Sequence, residues 1–114
     1  MRKTNLRVEM VLENFIKNEI SSTDGRIVAT RSFVNTLRGE LASYSARMPF
    51  ETEERKYFMM ILTLFHDMIN TYDEEIELLI DKREKMLEHL MNVKSVTAYL
   101  NPFPDSVVAG YSIN

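Results

Sequence analysis

The 114-residue chain contains no cysteine and no tryptophan, and it has only three glycines and three prolines. Without cysteine, the chain cannot form a disulfide framework, a thiolate zinc site or a cysteine nucleophile. Glycine and proline fall well below their average usage of roughly 7% and 5%, so a fold of short strands would lack residues for its turns. These shortages favour a mostly helical, all-α protein.

The residues that are present are typical of a folded domain, because 45% of them are hydrophobic and 27% are charged. The length predicts a single domain over residues 1–114. The basic N-terminal residues, among them Arg2, Lys3 and Arg7, are not followed by the apolar run of a secretory signal. We therefore expect a cytoplasmic protein that does not associate with membranes.

The net charge of −3 is unevenly divided along the sequence. Residues 1–48 carry eight basic and five acidic side chains, whereas residues 49–100 carry six basic and eleven acidic ones. Such an asymmetry can guide one half of a chain onto the other half or onto a neighbouring subunit, although screened surface charges add little stability.

Three helices are predicted, over residues 5–20, 27–47 and 52–100, followed by a short extended tail over 101–114. Residues 21–25 separate the first two helices with residue types that prefer turns, including Gly25. Pro49 ends the second helix, because the residue before a proline is pushed out of helical geometry. Residues 26–30 could alternatively form a short strand. In this interpretation, an N-terminal helical pair packs on the first half of a long C-terminal helix.

The most informative pattern is an apolar seam along the third predicted helix. Steps of four and three residues alternate from Phe58 to Leu100, which is a period of 3.5 residues sustained over about six heptads. Repetition of this length is typical of helices that wrap around each other in a left-handed coiled coil. We therefore predict a homo-oligomer, most simply a dimer, joined through Phe58, Leu62, Phe65, Ile69, Tyr72, Ile76, Leu79, Arg83, Met86, Leu90 and Val93.

The length of this helix raises an alternative. A helix over residues 52–100 would be roughly 73 Å long at 1.5 Å per residue, which exceeds what a compact globule of this size can hold. A bend near residues 70–73 would solve this, and Thr71 and Glu74 could form a capping box there. However, the seam keeps its phase and the stretch has no glycine or proline, so we favour a continuous helix.

The carboxylates and histidines do not fit the common catalytic templates of helical proteins. Glu51 and Glu54 supply Glu-x-x-Glu, but no glutamate lies three residues before a later aspartate, as the magnesium site of an all-α pyrophosphohydrolase would need. A di-iron bundle needs a glutamate three residues before each histidine, and neither His66 nor His89 has one. No enzyme activity, metal site or cofactor is therefore predicted.

The predicted function is that of a non-enzymatic protein–protein interaction module, an oligomeric adaptor, inhibitor or assembly factor that binds an unidentified protein partner. The alternative is a dimeric DNA-binding regulator whose residues 5–48 form a helix–turn–helix-like unit. That unit would place Arg31, Asn35 and Arg38 on one exposed face. The acidic pI of 5.4 argues against it, because attraction to phosphate drives most nonspecific binding.

Overall fold

The computed structural model describes residues 2–100, with side chains from Val8 onward. It contains two α-helices, α1 (Arg2–Ser45) and α2 (Thr52–Leu100), and within residues 2–100 it has no strand. The predicted all-α class is confirmed for this part of the chain. The extended tail predicted over 101–114 lies outside the described residues.

The predicted break between residues 20 and 27 is wrong, because α1 continues through it as one helix. Residues 26–30 are helical as well, so the alternative strand is absent. No glycine among the described residues has a positive φ, which is the conformation that Gly25 would supply in a turn. The predicted N-terminal helical pair is therefore a single helix, and the helix–turn–helix-like unit given as an alternative for residues 5–48 does not form.

Packing explains why α1 does not break. A glycine inside a helix costs only about 1 kcal/mol relative to alanine. This cost is offset by the burial of a seam that runs along α1 without interruption. The residues of the seam follow each other at alternating steps of four and three, and all of them are buried or half-buried. Thr23, in the middle of the expected turn, is only 1% exposed. The members of this α1 seam are Ile16, Ile20, Thr23, Ile27, Thr30, Val34, Leu37, Leu41 and Tyr44.

The second helix agrees with the prediction over residues 52–100, and it continues without a loop through residues 70–73. The connection before it contains Pro49, and the backbone N–H of Arg55 donates to the carbonyl of Glu51 (2.9 Å) in the first turn of α2. Glu53 and Glu54 lie in that turn, where a negative charge is favoured by the helix dipole.

The chain divides into two compact units, and the larger core belongs to unit 2, residues 23–82. Three aromatic and ionic contacts define how its helices run: Tyr44 meets Phe58, Arg38 meets Asp73, and Phe33 meets Tyr72. From the contact of Tyr44 with Phe58 to that of Phe33 with Tyr72, the α1 number falls while the α2 number rises, so the helices of unit 2 are antiparallel. Its buried core comprises Ile27, Val34, Leu37, Ile69, Ile76 and Leu79.

Unit 1 combines the α1 segment up to Ser22 with the α2 segment from Arg83. Among its described side chains, Ile16 alone is buried. Several large apolar side chains of its α1 segment are exposed, namely Val8, Met10, Val11, Leu12 and Phe15. Unit 1 therefore has a thinner core than unit 2. The prediction of a single domain over residues 1–114 stays a prediction.

Candidate interaction surface

All eleven residues of the predicted α2 seam are buried or half-buried. In unit 2 the side chains of Phe58, Ile69, Ile76 and Leu79 are buried, while in unit 1 the seam residues from Arg83 to Val93 are half-buried. Within unit 2 the seam packs on α1 of the same chain. The seam is thus occupied inside the chain there, and its use between copies stays a prediction.

Aromatic rings hold the two helices of unit 2 together near the connection. Tyr44 stacks on Phe58 with ring centroids 4.5 Å apart, and it contacts Phe65 at 5.9 Å. Farther from the connection, Phe33 and Tyr72 meet edge to face at 5.0 Å. Such ring pairs add about 0.5–1.5 kcal/mol each beyond the area they bury. The face of α2 that points toward α1 is therefore well fixed.

A second apolar face of α2 is left uncovered by α1. Four large apolar side chains line it, and their exposed fractions are 62% for Tyr57, 40% for Ile61, 61% for Leu64 and 43% for Met68. Met60, which is also exposed, lies beside them on the helix. We call Tyr57, Ile61, Leu64 and Met68 the α2 stripe. An exposed apolar surface of this continuity marks an interaction site more often than scattered single residues do.

The position of the α2 stripe follows from its spacing. Each of its residues comes one position before a residue of the α2 seam, so the stripe lies about 100° around the helix from the seam. Both the seam and the stripe advance in steps of four, three and four residues. A helix with two such faces can pack on two neighbours at once, as helices of a bundle do. In unit 2 the chain itself provides only the neighbour on the seam.

The α2 stripe was not among the sequence predictions, although the sequence contains a signal for it. The predicted N-terminal helical pair was to pack on the first half of the long helix, and residues 57–69 in that half are apolar nearly all round. Since α1 is one helix, it covers one face of this segment and leaves the other exposed. The second repeat of four, three and four residues, offset by one from the seam, was the pattern that could have identified the stripe.

The three residues predicted to contact nucleic acid lie together in unit 2. Arg31, Asn35 and Arg38 line a cavity of about 520 Å³, together with Asp73 and Glu77 of α2. The Arg38 guanidinium donates to the Asp73 carboxylate at 2.8 Å. Two carboxylates beside two guanidiniums leave little positive potential for binding phosphate.

Unit 1 contains an apolar pocket of about 370 Å³. The pocket lies between Phe15 and Leu12 on α1 and Met86 and Val93 on α2, with His89 among its lining residues. Nearby on α1, the Lys17 ammonium bonds the Glu13 carboxylate at 2.9 Å. This hydrogen bond lowers the pKa of Glu13, and the positive charges of Lys17 and Lys94 act in the same direction, while burial opposes them.

Within residues 2–100, no group of three or more histidine, aspartate or glutamate side chains is arranged to hold a metal ion. In the same part of the chain, neither helix offers a stretch with the length and apolar character needed to cross a membrane. Comparison of the chain with protein-family models, with curated proteins and with solved structures finds no match.

Proposed function

We propose that the chain is a non-enzymatic protein–protein interaction module that self-associates through the α2 stripe and serves as an adaptor, inhibitor or assembly factor. The observation that carries this proposal is the uncovered stripe itself, four large apolar side chains in a row on a face that α1 does not reach. Burying one such side chain is worth about 1.5–3 kcal/mol. A symmetric dimer would bury each of them twice.

The test is the mass in solution by light scattering. The mass measured for the wild-type protein should be twice the 13.4 kDa mass of a single chain. Leu64→Glu should weaken the dimer by on the order of 100-fold or more, because two charges would be buried in the interface. Val28→Glu is the matched control, since Val28 is 67% exposed and lies in unit 2 on α1.

Helical content by circular dichroism should be the same in both variants, because both positions are exposed in the single chain. A wild-type chain that stays monomeric at all accessible concentrations would sink the proposal. An equal loss of association in Leu64→Glu and Val28→Glu would remove the assignment to the α2 stripe.

DNA binding is a second candidate, favoured by the fact that Arg31, Asn35 and Arg38 share one cavity. Because residues 5–45 form one helix, this function would use the cavity rather than a helix–turn–helix unit. A labelled duplex at about 50 mM salt, where phosphate contacts are strongest, is the test. Binding that disappears in Arg31→Ala/Arg38→Ala would support it, and the absence of any shift would end it.

A further inference from the structure

The α2 stripe has a spacing that reads the same in both directions. Its residues, Tyr57, Ile61, Leu64 and Met68, are separated by four, three and four positions. In an antiparallel pair with a twofold axis between Ile61 and Leu64, Tyr57 therefore faces the partner's Met68, and Ile61 faces the partner's Leu64. A parallel pair would instead place each residue opposite its own copy, so spacing alone does not decide the orientation.

Charged residues beside the stripe distinguish a parallel from an antiparallel pair. Lys56 comes one position before Tyr57, and Asp67 comes one position before Met68, so both lie on the same flank of the stripe. Both are exposed, and Met60 and Thr63, the flank residues between them, are neutral. Within one chain the two charges are roughly 16 Å apart along the helix, beyond the screening length at physiological salt.

We infer that two copies of the chain associate through antiparallel α2 helices, with Lys56 of each copy beside the partner's Asp67. This inference rests on the proposed function and adds the occupant of the stripe, its direction and its register. By symmetry the ion pair forms twice in each dimer. In a parallel pair, this flank would instead lie opposite the other flank of the partner's stripe, which is apolar, so neither Lys56 nor Asp67 would gain an oppositely charged neighbour there.

Disulfide trapping tests the direction, and the chain has no cysteine of its own to interfere. In the antiparallel pair, Leu64→Cys lies near the twofold axis and should cross-link to its own copy. Tyr57→Cys should not cross-link to itself, because its two copies are roughly 16 Å apart along the helices. A mixture of Tyr57→Cys and Met68→Cys should give the mixed dimer.

Light scattering on the same samples measures their mass in solution, and it distinguishes a dimer of the wrong helix direction from the absence of a dimer. A dimer in which Tyr57→Cys and Met68→Cys each cross-link efficiently to their own copy would overturn the antiparallel arrangement and leave the proposed function intact. A monomer would overturn both.

Charge reversal tests the register independently. Lys56→Glu should weaken dimerisation by on the order of tenfold, because it turns two attractions into two repulsions. Asp67→Lys should do the same, and the double variant Lys56→Glu/Asp67→Lys should restore the wild-type affinity. Lys85→Glu, an exposed reversal on the α2 segment of unit 1, is the control. A double variant that is no tighter than either single one would contradict the register.

Discussion

At the scale of single residues, Thr23 is the clearest case in which context overrides residue type. It lies in a run that is rich in serine, threonine, aspartate and glycine, all of which favour turns. In the structure it is helical and 1% exposed, as a member of the α1 seam. A small polar side chain can therefore occupy a seam position that a search for apolar residues passes over.

Substitution at Thr23 tests this placement. Thr23→Arg should destabilise the fold by about 3 kcal/mol or more, because a charge would be forced into a buried seam. Ser22→Arg, one residue earlier and exposed, should change stability by less than about 0.5 kcal/mol. Urea unfolding measures the free energy of unfolding of both variants. If the two variants are equally stable, residues 21–25 form an exposed turn after all.

The pH dependence of Glu13 is a second prediction at this scale. Its folded pKa is lowered, so the carboxylate contributes stability above its unfolded pKa, and this contribution is lost as the pH falls through the folded pKa. Lys17→Met should return the pKa of Glu13 toward its ordinary value, since Lys17 is the main cause. Lys94→Met should change it less. An NMR titration of the Glu13 carboxyl carbon measures this pKa in both variants. Equal pKa changes in Lys17→Met and Lys94→Met would contradict the prediction.

At the scale of elements, the two helices were not equally predictable. The bounds of α2 could be predicted because its seam runs without a phase change from Phe58 to Leu100, and prolines at 49 and 102 mark its limits. The α1 helix could not, because Gly25 and its polar neighbours carry the local preference of a turn. The energy that overrides this preference comes from contacts with α2, which local patterns do not contain.

Gly25→Ala distinguishes a continuous α1 from a turn by the sign of its effect. In a helix, alanine is favoured over glycine by about 1 kcal/mol, and a Cβ at residue 25 would meet no atom within 4 Å. Thermal unfolding should therefore show a higher melting temperature. Gly39→Ala is the control, because Gly39 is also helical and equally open. A Gly25→Ala variant that melts lower, with Gly39→Ala melting higher, would contradict the continuous helix.

At the scale of the whole molecule, part of the candidate site was predicted and part was not. Arg31, Asn35 and Arg38 were predicted to share one exposed face as nucleic-acid contacts; they line one cavity, and their contact with nucleic acid stays a prediction. The neutralising contact of Arg38 with Asp73 joins residues on two helices, so only the packing of the helices reveals it. The repeat that forms the α2 stripe can be read from the sequence, but its exposure follows only from the packing of the α2 seam on α1.

Self-association should also appear in the thermal stability of the molecule. If the folded chain is a dimer, its melting temperature should rise with protein concentration, by roughly 2–4 °C for each tenfold increase. Leu64→Glu should remove this dependence. Calorimetry at two or more concentrations measures it, and a wild-type melting temperature that does not change with concentration would contradict a dimer coupled to folding.

The connection between the helices has a consequence for the order in which the chain folds. Tyr44 and Phe58, next to it, are 14 residues apart in sequence, whereas the charges of Glu13 and Lys94 interact across about 80 residues. Closing the longer loop first would cost about 1.5 kcal/mol more in chain entropy. We therefore expect folding to begin at the connection and to proceed away from it along the two helices, and amide hydrogens of unit 1 to exchange with solvent before those of the unit 2 core.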